Sequence, residues 1–170
     1  MSRLDANSDP AAGDTRLGER PNIVSDLNDL IEAGLQYNTV LADPPWRYSN
    51  TGSNGAAENH YPTMTIDEIC QEPIRELVSE KAHLHLWTTN AFLESAFKVI
   101  RAWGFRYKSC LIWAKPRIGM GNYWRVSHEF LLLGVRGRLR FGRNDIPSWV
   151  VAPRTSHSRK PFRFRELIEQ

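Results

Sequence analysis

The stretch Tyr37-Asn38-Thr39-Val40-Leu41-Ala42-Asp43-Pro44-Pro45-Trp46 decides how this sequence folds. A short apolar run stops abruptly at an acid and two prolines. Proline lacks the ladder donor and holds the residue before it extended, so the run predicts a buried strand over 37–42 that ends at Asp43. Ligands of open α/β sheets bind beyond the carboxyl ends of strands, and Asp43 stands at such an end.

Strand and helix patterns alternate on both sides of this stretch. Upstream, Ile23, Leu27, Leu30 and Ile31 form a helical stripe within 22–35, and residues 1–21 read as a flexible polar tail. Downstream, the Gly-, Asn- and Ser-rich run from Ser49 to Asn59 reads as a loop. Thr65 and Glu68 have capping-box spacing at the start of a helix that Pro73 is expected to kink or divide. Ala82–Trp87 reads as a strand, Ala91–Trp103 as a helix ended by Gly104, Phe105–Trp113 as a strand, and Lys115–Tyr123 as a Gly-rich loop. Strands follow over 129–135 and 148–152, and a last helix begins after Pro161 and runs to the end at Gln170. Such alternation predicts one layered α/β domain over 22–170 with a largely parallel sheet.

Composition narrows the classes. The hydrophobic content of 41% and the six tryptophans suit a packed globule and exclude a disordered chain. No apolar run approaches the roughly 20 residues of a membrane helix, and residues 1–21 lack a secretory apolar segment. Cys70, Cys110 and five scattered histidines have no zinc-type spacing, so no metal site is expected and both thiols read as reduced packing residues in a cytoplasmic protein. The net charge of +3 conceals an asymmetry: residues 1–100 carry a balance of −8, and residues 101–170 carry +11. A basic half of this kind suits a polyanion such as nucleic acid, or simply a solvated face. Alternation across Arg136, Arg138 and Arg140 would align three guanidinium groups on one side of a hairpin.

The tetrapeptide Asp43-Pro44-Pro45-Trp46 offers a carboxylate, a carbonyl whose direction a proline pair fixes, and a flat aromatic face. Two fixed acceptors beside a stacking ring suit a conjugated amino group with two N–H donors, and no metal is needed for that. Read alone, the same residues equally suit a turn followed by a core tryptophan.

Further pieces settle the comparison: Tyr61-Pro62-Thr63-Met64-Thr65, Leu86-Trp87-Thr88-Thr89-Asn90, Trp103-Gly104-Phe105, Ile112-Trp113-Ala114-Lys115, His128-Glu129, Gly134-Val135-Arg136-Gly137 and His157-Ser158-Arg159-Lys160-Pro161. In this order and spacing the set resembles the MT-A70-like family of adenine methyltransferases, from about Asp26 to the end. The resemblance implies a Rossmann-like methyltransferase sheet with flanking helices in permuted order, the catalytic motif preceding the donor-binding strand. It implies S-adenosylmethionine as donor and adenine in nucleic acid as acceptor, DNA ahead of RNA. By the same resemblance Asp43, Pro44, Pro45 and Trp46 are the catalytic motif. Lys160, Asp43 and Asp26 would contact the donor, although Asp26 equally suits a helix cap. Trp46, His60 and Tyr61 would meet the acceptor base. Family members continue past the Lys-Pro helix into a Glu-Leu-Phe-Gly-Arg type strand and a Gly-Asn segment. The sequence ends at Gln170 before either, and the usual acid after Lys-Pro is replaced by Phe162-Arg163-Phe164-Arg165. The last strands are therefore expected to be missing, with part of the donor pocket. The alternative to an enzyme is an inactive nucleic-acid-binding remnant or partner subunit.

Overall fold

A computed structural model describes residue 24 and residues 26–48, 62–121, 123–154 and 159–170. The expected tail over 1–21, the 49–59 loop, His60, Tyr61, His157 and Ser158 lie outside the described residues.

Five strands form one sheet in the order β1-β2-β4-β3-β5: β1 (Tyr37–Ala42), β2 (Val78–Thr88), β3 (Arg106–Ala114), β4 (His128–Arg136) and β5 (Trp149–Val151). The helices are α1 (Leu27–Glu32), α2 (Ile66–Gln71), α3 (Ile74–Leu77), α4 (Leu93–Ala102) and α5 (Phe162–Ile168). Among the described residues no helix is long and apolar enough to cross a membrane. The architecture is the expected Rossmann-like layering, but the sheet is mixed. β1·β2 and β3·β5 are parallel, while β2·β4 and β3·β4 are antiparallel. The expectation of a largely parallel sheet fails at β4, because the described residues between β3 and β4 form no crossover helix. A parallel return usually runs through a crossover helix, whereas the 115–127 connection folds back on itself, the Lys115 N–H bonding to Ser127 and the Gly119 N–H to Val126.

Local sequence explains the element boundaries. Thr65 caps α2 in a complete capping box with Glu68. Pro73 does divide the next segment, separating α2 from α3. α4 turns Ala96, Val99 and Ile100 toward the sheet, and the indole N–H of Trp103 donates to the carbonyl of Ile69 at 2.9 Å, joining α4 to α2. Alternation along β2 sends Ala82, Leu84 and Leu86 into this layer with Trp46 and Phe92. Trp87 points the other way, into a second cluster with Trp113, Leu131, Ala152 and Phe164 of α5.

Three further expectations change. β1 has the expected bounds but is not buried: only Val40 and Ala42 are partly covered, because β1 lies at one end of the strand order. α5 ends at Ile168, with the Glu169 N–H closing on the carbonyl of Arg165. The chain over 137–148 is not a hairpin strand, so the expected strand alternation across Arg136, Arg138 and Arg140 is absent. The Arg136 guanidinium instead donates to the carbonyls of Arg75 and Val78.

Candidate active site

Strand direction brings one rim of the sheet together. β1, β2, β3 and β5 all end there, and antiparallel β4 begins there. The rim therefore gathers Asp43 after β1, Thr88 and Thr89 at the end of β2, Lys115 after β3 and Glu129 near the start of β4. A cleft of about 610 Å³ opens at it, lined by Asp43, Pro44, Pro45, Trp46, Tyr48, Pro62, Thr88, Thr89, Glu129 and Lys160.

The segment after Asp43 is held from several sides. The Trp46 N–H donates to the Pro44 carbonyl at 2.9 Å. The Met64 N–H donates to Pro45 at 2.8 Å, and Arg47 returns a bond to the Met64 carbonyl at 3.1 Å. The Arg47 side chain reaches Thr63 through two further bonds. These contacts explain why the Thr63-Met64-Thr65 piece accompanies the proline pair: it is the edge on which the loop is seated. The Pro44 carbonyl keeps one lone pair beyond the bond from Trp46, so it can still accept from a ligand.

Trp46 is not an open stacking face. It is only 6% exposed, stacks on Phe92 with centroids 5.3 Å apart, and donates its indole N–H to the Trp87 carbonyl at 3.2 Å. One edge borders the cleft while the ring anchors the loop in the core. Tyr48 also borders the cleft, half-held edge-on to Phe92 and bonded to the Thr89 hydroxyl at 3.1 Å.

Charge alternates along the rim. The Lys160 ammonium meets Asp43 Oδ2 at 2.6 Å and Glu129 Oε2 at 3.6 Å, and Glu129 Oε1 is bonded to Lys115. Lys160 also lies 5.4 Å from the centre of the Trp87 ring, and Lys115 lies 4.4 Å from that of Trp113. Burial pushes the Asp43 carboxyl above its ordinary value. The charge and hydrogen bond of Lys160 oppose this, and Glu129 adds to it. Glu129 stands in the sequence only as part of a His-Glu pair, and its partnership with Lys160 needs β4 beside the start of α5. The site gathers Asp43, Pro44, Pro45, Trp46 and Lys160 but not Asp26. Asp26 caps α1, accepting from the Asn28 N–H at 2.9 Å, and is exposed and absent from the cleft wall.

The family model for MT-A70 matches residues 37–170, from the first residue of β1 to the end. The chain belongs to the MT-A70 family. Among its relatives, the type II methyltransferase M.MunI of Mycoplasma sp is 26% identical over 148 residues, covering 75% of this chain and 64% of that protein. A probable N(6)-adenosine-methyltransferase MT-A70-like of Oryza sativa subsp. japonica is 26% identical over 166 residues, 92% of this chain and 22% of the relative. The N(6)-adenosine-methyltransferase MT-A70-like of Arabidopsis thaliana is 28% identical over 142 residues, 79% and 20% respectively. This MT-A70 chain thus spans less than two thirds of M.MunI and about a fifth of the plant relatives.

Proposed function

We propose that this MT-A70 domain methylates the exocyclic amino nitrogen of adenine in nucleic acid, using S-adenosylmethionine, with DNA the first acceptor to assay. The observation that carries the reading is the pairing of a partly desolvated carboxylate with a fixed carbonyl at the strand-end rim. Lys160 occupies Oδ2 of Asp43, which leaves Oδ1 to accept one amino hydrogen while the second lone pair of Pro44 accepts the other.

The amino nitrogen of adenine is conjugated and weakly nucleophilic. Drawing both hydrogens out toward fixed acceptors favours the tetrahedral character that develops as it attacks carbon. A carboxylate whose pKa is raised is also the better base for the proton that the nitrogen then sheds. The rim fits the chemistry of the donor: two carboxylates, Asp43 and Glu129, suit a sulfonium, and Lys160 with the Thr89 hydroxyl suits its carboxylate and ribose. When bound, that group supplies an electrophilic methyl. Asp43, Pro44, Pro45 and Trp46 are then the catalytic loop, Lys160 a donor contact, and His60 and Tyr61 contacts of the base.

The test is Asp43→Ala. Loss of one preorganised acceptor is expected to raise the barrier by about 3 kcal/mol, with thermal unfolding unchanged, and Asn at this position restores only part of the loss. Methyl transfer to deoxy- and ribo-oligonucleotides is followed with labelled donor, alongside calorimetric titration of the donor itself. Near-normal transfer by folded Asp43→Ala protein sinks the assignment.

A further inference from the structure

The connection between β3 and β4 carries the most exposed large hydrophobic side chains among the described residues. Tyr123 is 95% exposed and Trp124 is 91% exposed, with Met120 and Ile118 close behind. Large aromatic rings left in water are unfavourable and mark contact surfaces. This exposure is not a frayed end. The Lys115 N–H donates to Ser127 at 2.7 Å, the Gly119 N–H to Val126 at 2.6 Å, and the Arg125 guanidinium to the Gly119 carbonyl at 2.8 Å. These bonds close the base of the loop, so Tyr123 and Trp124 stand out from a structured support. Gly121 permits the tight path, since a Cβ there would lie 2.7 Å from the Trp124 carbonyl oxygen.

The loop also borders the candidate active site. A second cleft of about 820 Å³ runs beside it, lined among others by Ile118, Met120, Arg125 and Arg154. Tyr48, Thr89 and Glu129 line both this cleft and the one that holds Asp43. The charge that the loop presents is basic: residues 115–127 contain no acid, Lys115 is paired with Glu129 at the base, and Arg117 and Arg125 lie beyond it. The Arg154 guanidinium packs directly against Gly119.

We infer that the 115–127 loop is a docking surface for an unpaired nucleic-acid strand, with Tyr123 and Trp124 stacking on bases that flank the target adenine. Arg117, Arg125 and Arg154 contact the backbone phosphates. The inference rests on the proposed adenine methylation and names where the strand leaves the site. Aromatic rings interleaved with arginines suit single strands, because every base offers a face and every nucleotide a charge. A protein partner would also cover apolar rings, but the one-signed charge and the continuity with the Asp43 cleft favour a polyanion.

The experiment measures anisotropy of a fluorescein-labelled single-stranded deoxyoligonucleotide, and its ribo counterpart, with the 170-residue chain. Variants are Tyr123→Ala/Trp124→Ala, Trp124→Phe and Asp43→Ala. The double variant is expected to bind roughly ten- to a hundredfold more weakly with an unchanged unfolding midpoint, while Trp124→Phe stays within a few-fold of the parent. Parental affinity in the double variant overturns the inference, as does absence of oligonucleotide binding by the parent chain. Unchanged affinity together with loss of self-association in sedimentation assigns the loop to a protein contact and overturns it too. Failure of the proposed function is separable: it shows as transfer that survives Asp43→Ala, whatever the loop variants do.

Discussion

Replacing Lys160 with Met tests the electrostatics of the rim most directly. On the proposed reading Asp43 must be ionised to accept an amino hydrogen, and burial raises its pKa above the ordinary value, so transfer is expected to be lost as pH falls through that raised value. Lys160 restrains this rise through a 2.6 Å charged hydrogen bond. A cation at such a distance favours the ionised carboxylate and so lowers its pKa. The Asp43 side chain keeps 42% of its exposure, so solvent screens the pair in part, and Lys160→Met should move the acid limb up. Lys160→Arg should leave it in place. Glu129→Gln should move it down, because the Glu129 charge raises the Asp43 pKa. The assay is the pH profile of methyl transfer, paired with an NMR titration of the Asp43 carboxyl carbon that needs no turnover. A lower plateau with an unmoved limb would mean that Lys160 serves the donor alone. An acid limb that stays put in both measurements refutes the electrostatic argument.

Trp46→Ala should lower folding stability by about 3–5 kcal/mol in urea titrations, since it empties a core site; a fully stable variant would return Trp46 to the role of an open stacking face. His85 is buried on β2 with its pKa lowered to about 4 by desolvation, reinforced by the His83 charge. The unfolded chain therefore binds protons that the fold refuses. Stability is fully present above about pH 6.5 and falls as pH drops toward 4, by about 2–3 kcal/mol at pH 4.5. His85→Leu should flatten that dependence, and an equally steep acid loss in the variant would place its origin elsewhere. Gly137→Ala should destabilise by more than about 1 kcal/mol, because φ there is +61° and a Cβ would press on the Glu80 carbonyl; an unchanged unfolding midpoint would contradict this.

The local signals were the legible ones. Asp43-Pro44-Pro45 ends β1 where the sequence places the end, Thr65 and Glu68 form their capping box, and Pro73 separates α2 from α3. Long-range pairing was less legible. An apolar run such as Thr39-Val40-Leu41-Ala42 reads the same at the margin of a sheet as at its centre, because neighbours and not composition cover a strand. The antiparallel return into β4 was written in the Gly-rich reading of Lys115–Tyr123, which offers no crossover helix and outweighs the general alternation of elements. For the site, Asp43 and Lys160 stand 117 positions apart yet share a 2.6 Å bond, which only the resemblance could suggest. Glu129 was hidden for the same reason. Trp46 was ambiguous between stacking face and core anchor, and the contact with Phe92 decides for the anchor.

These placements explain how a two-proline loop can be both rigid and charged. The Trp46 ring wedges between Phe92 and the end of β2, so the position of the Asp43 backbone is set by core packing and not by its own charge. The charge is handled separately, by the sequence of Asp43, Lys160, Glu129 and Lys115, drawn from four places in the chain and neutral as a set. Each cation lies beside a tryptophan face, which lets it sit partly out of water without losing stabilisation. Packing thus fixes where the acceptors stand, while the ionic chain fixes how readily Asp43 takes a proton. The two can be perturbed independently: a core change such as Trp46→Ala acts on stability, and a charge change such as Lys160→Met acts on the pH at which the rim works. A site built this way tolerates variation at the exposed 117–125 part of the loop, where partner recognition is proposed to lie, provided that Lys115 at its base keeps its bond to Glu129.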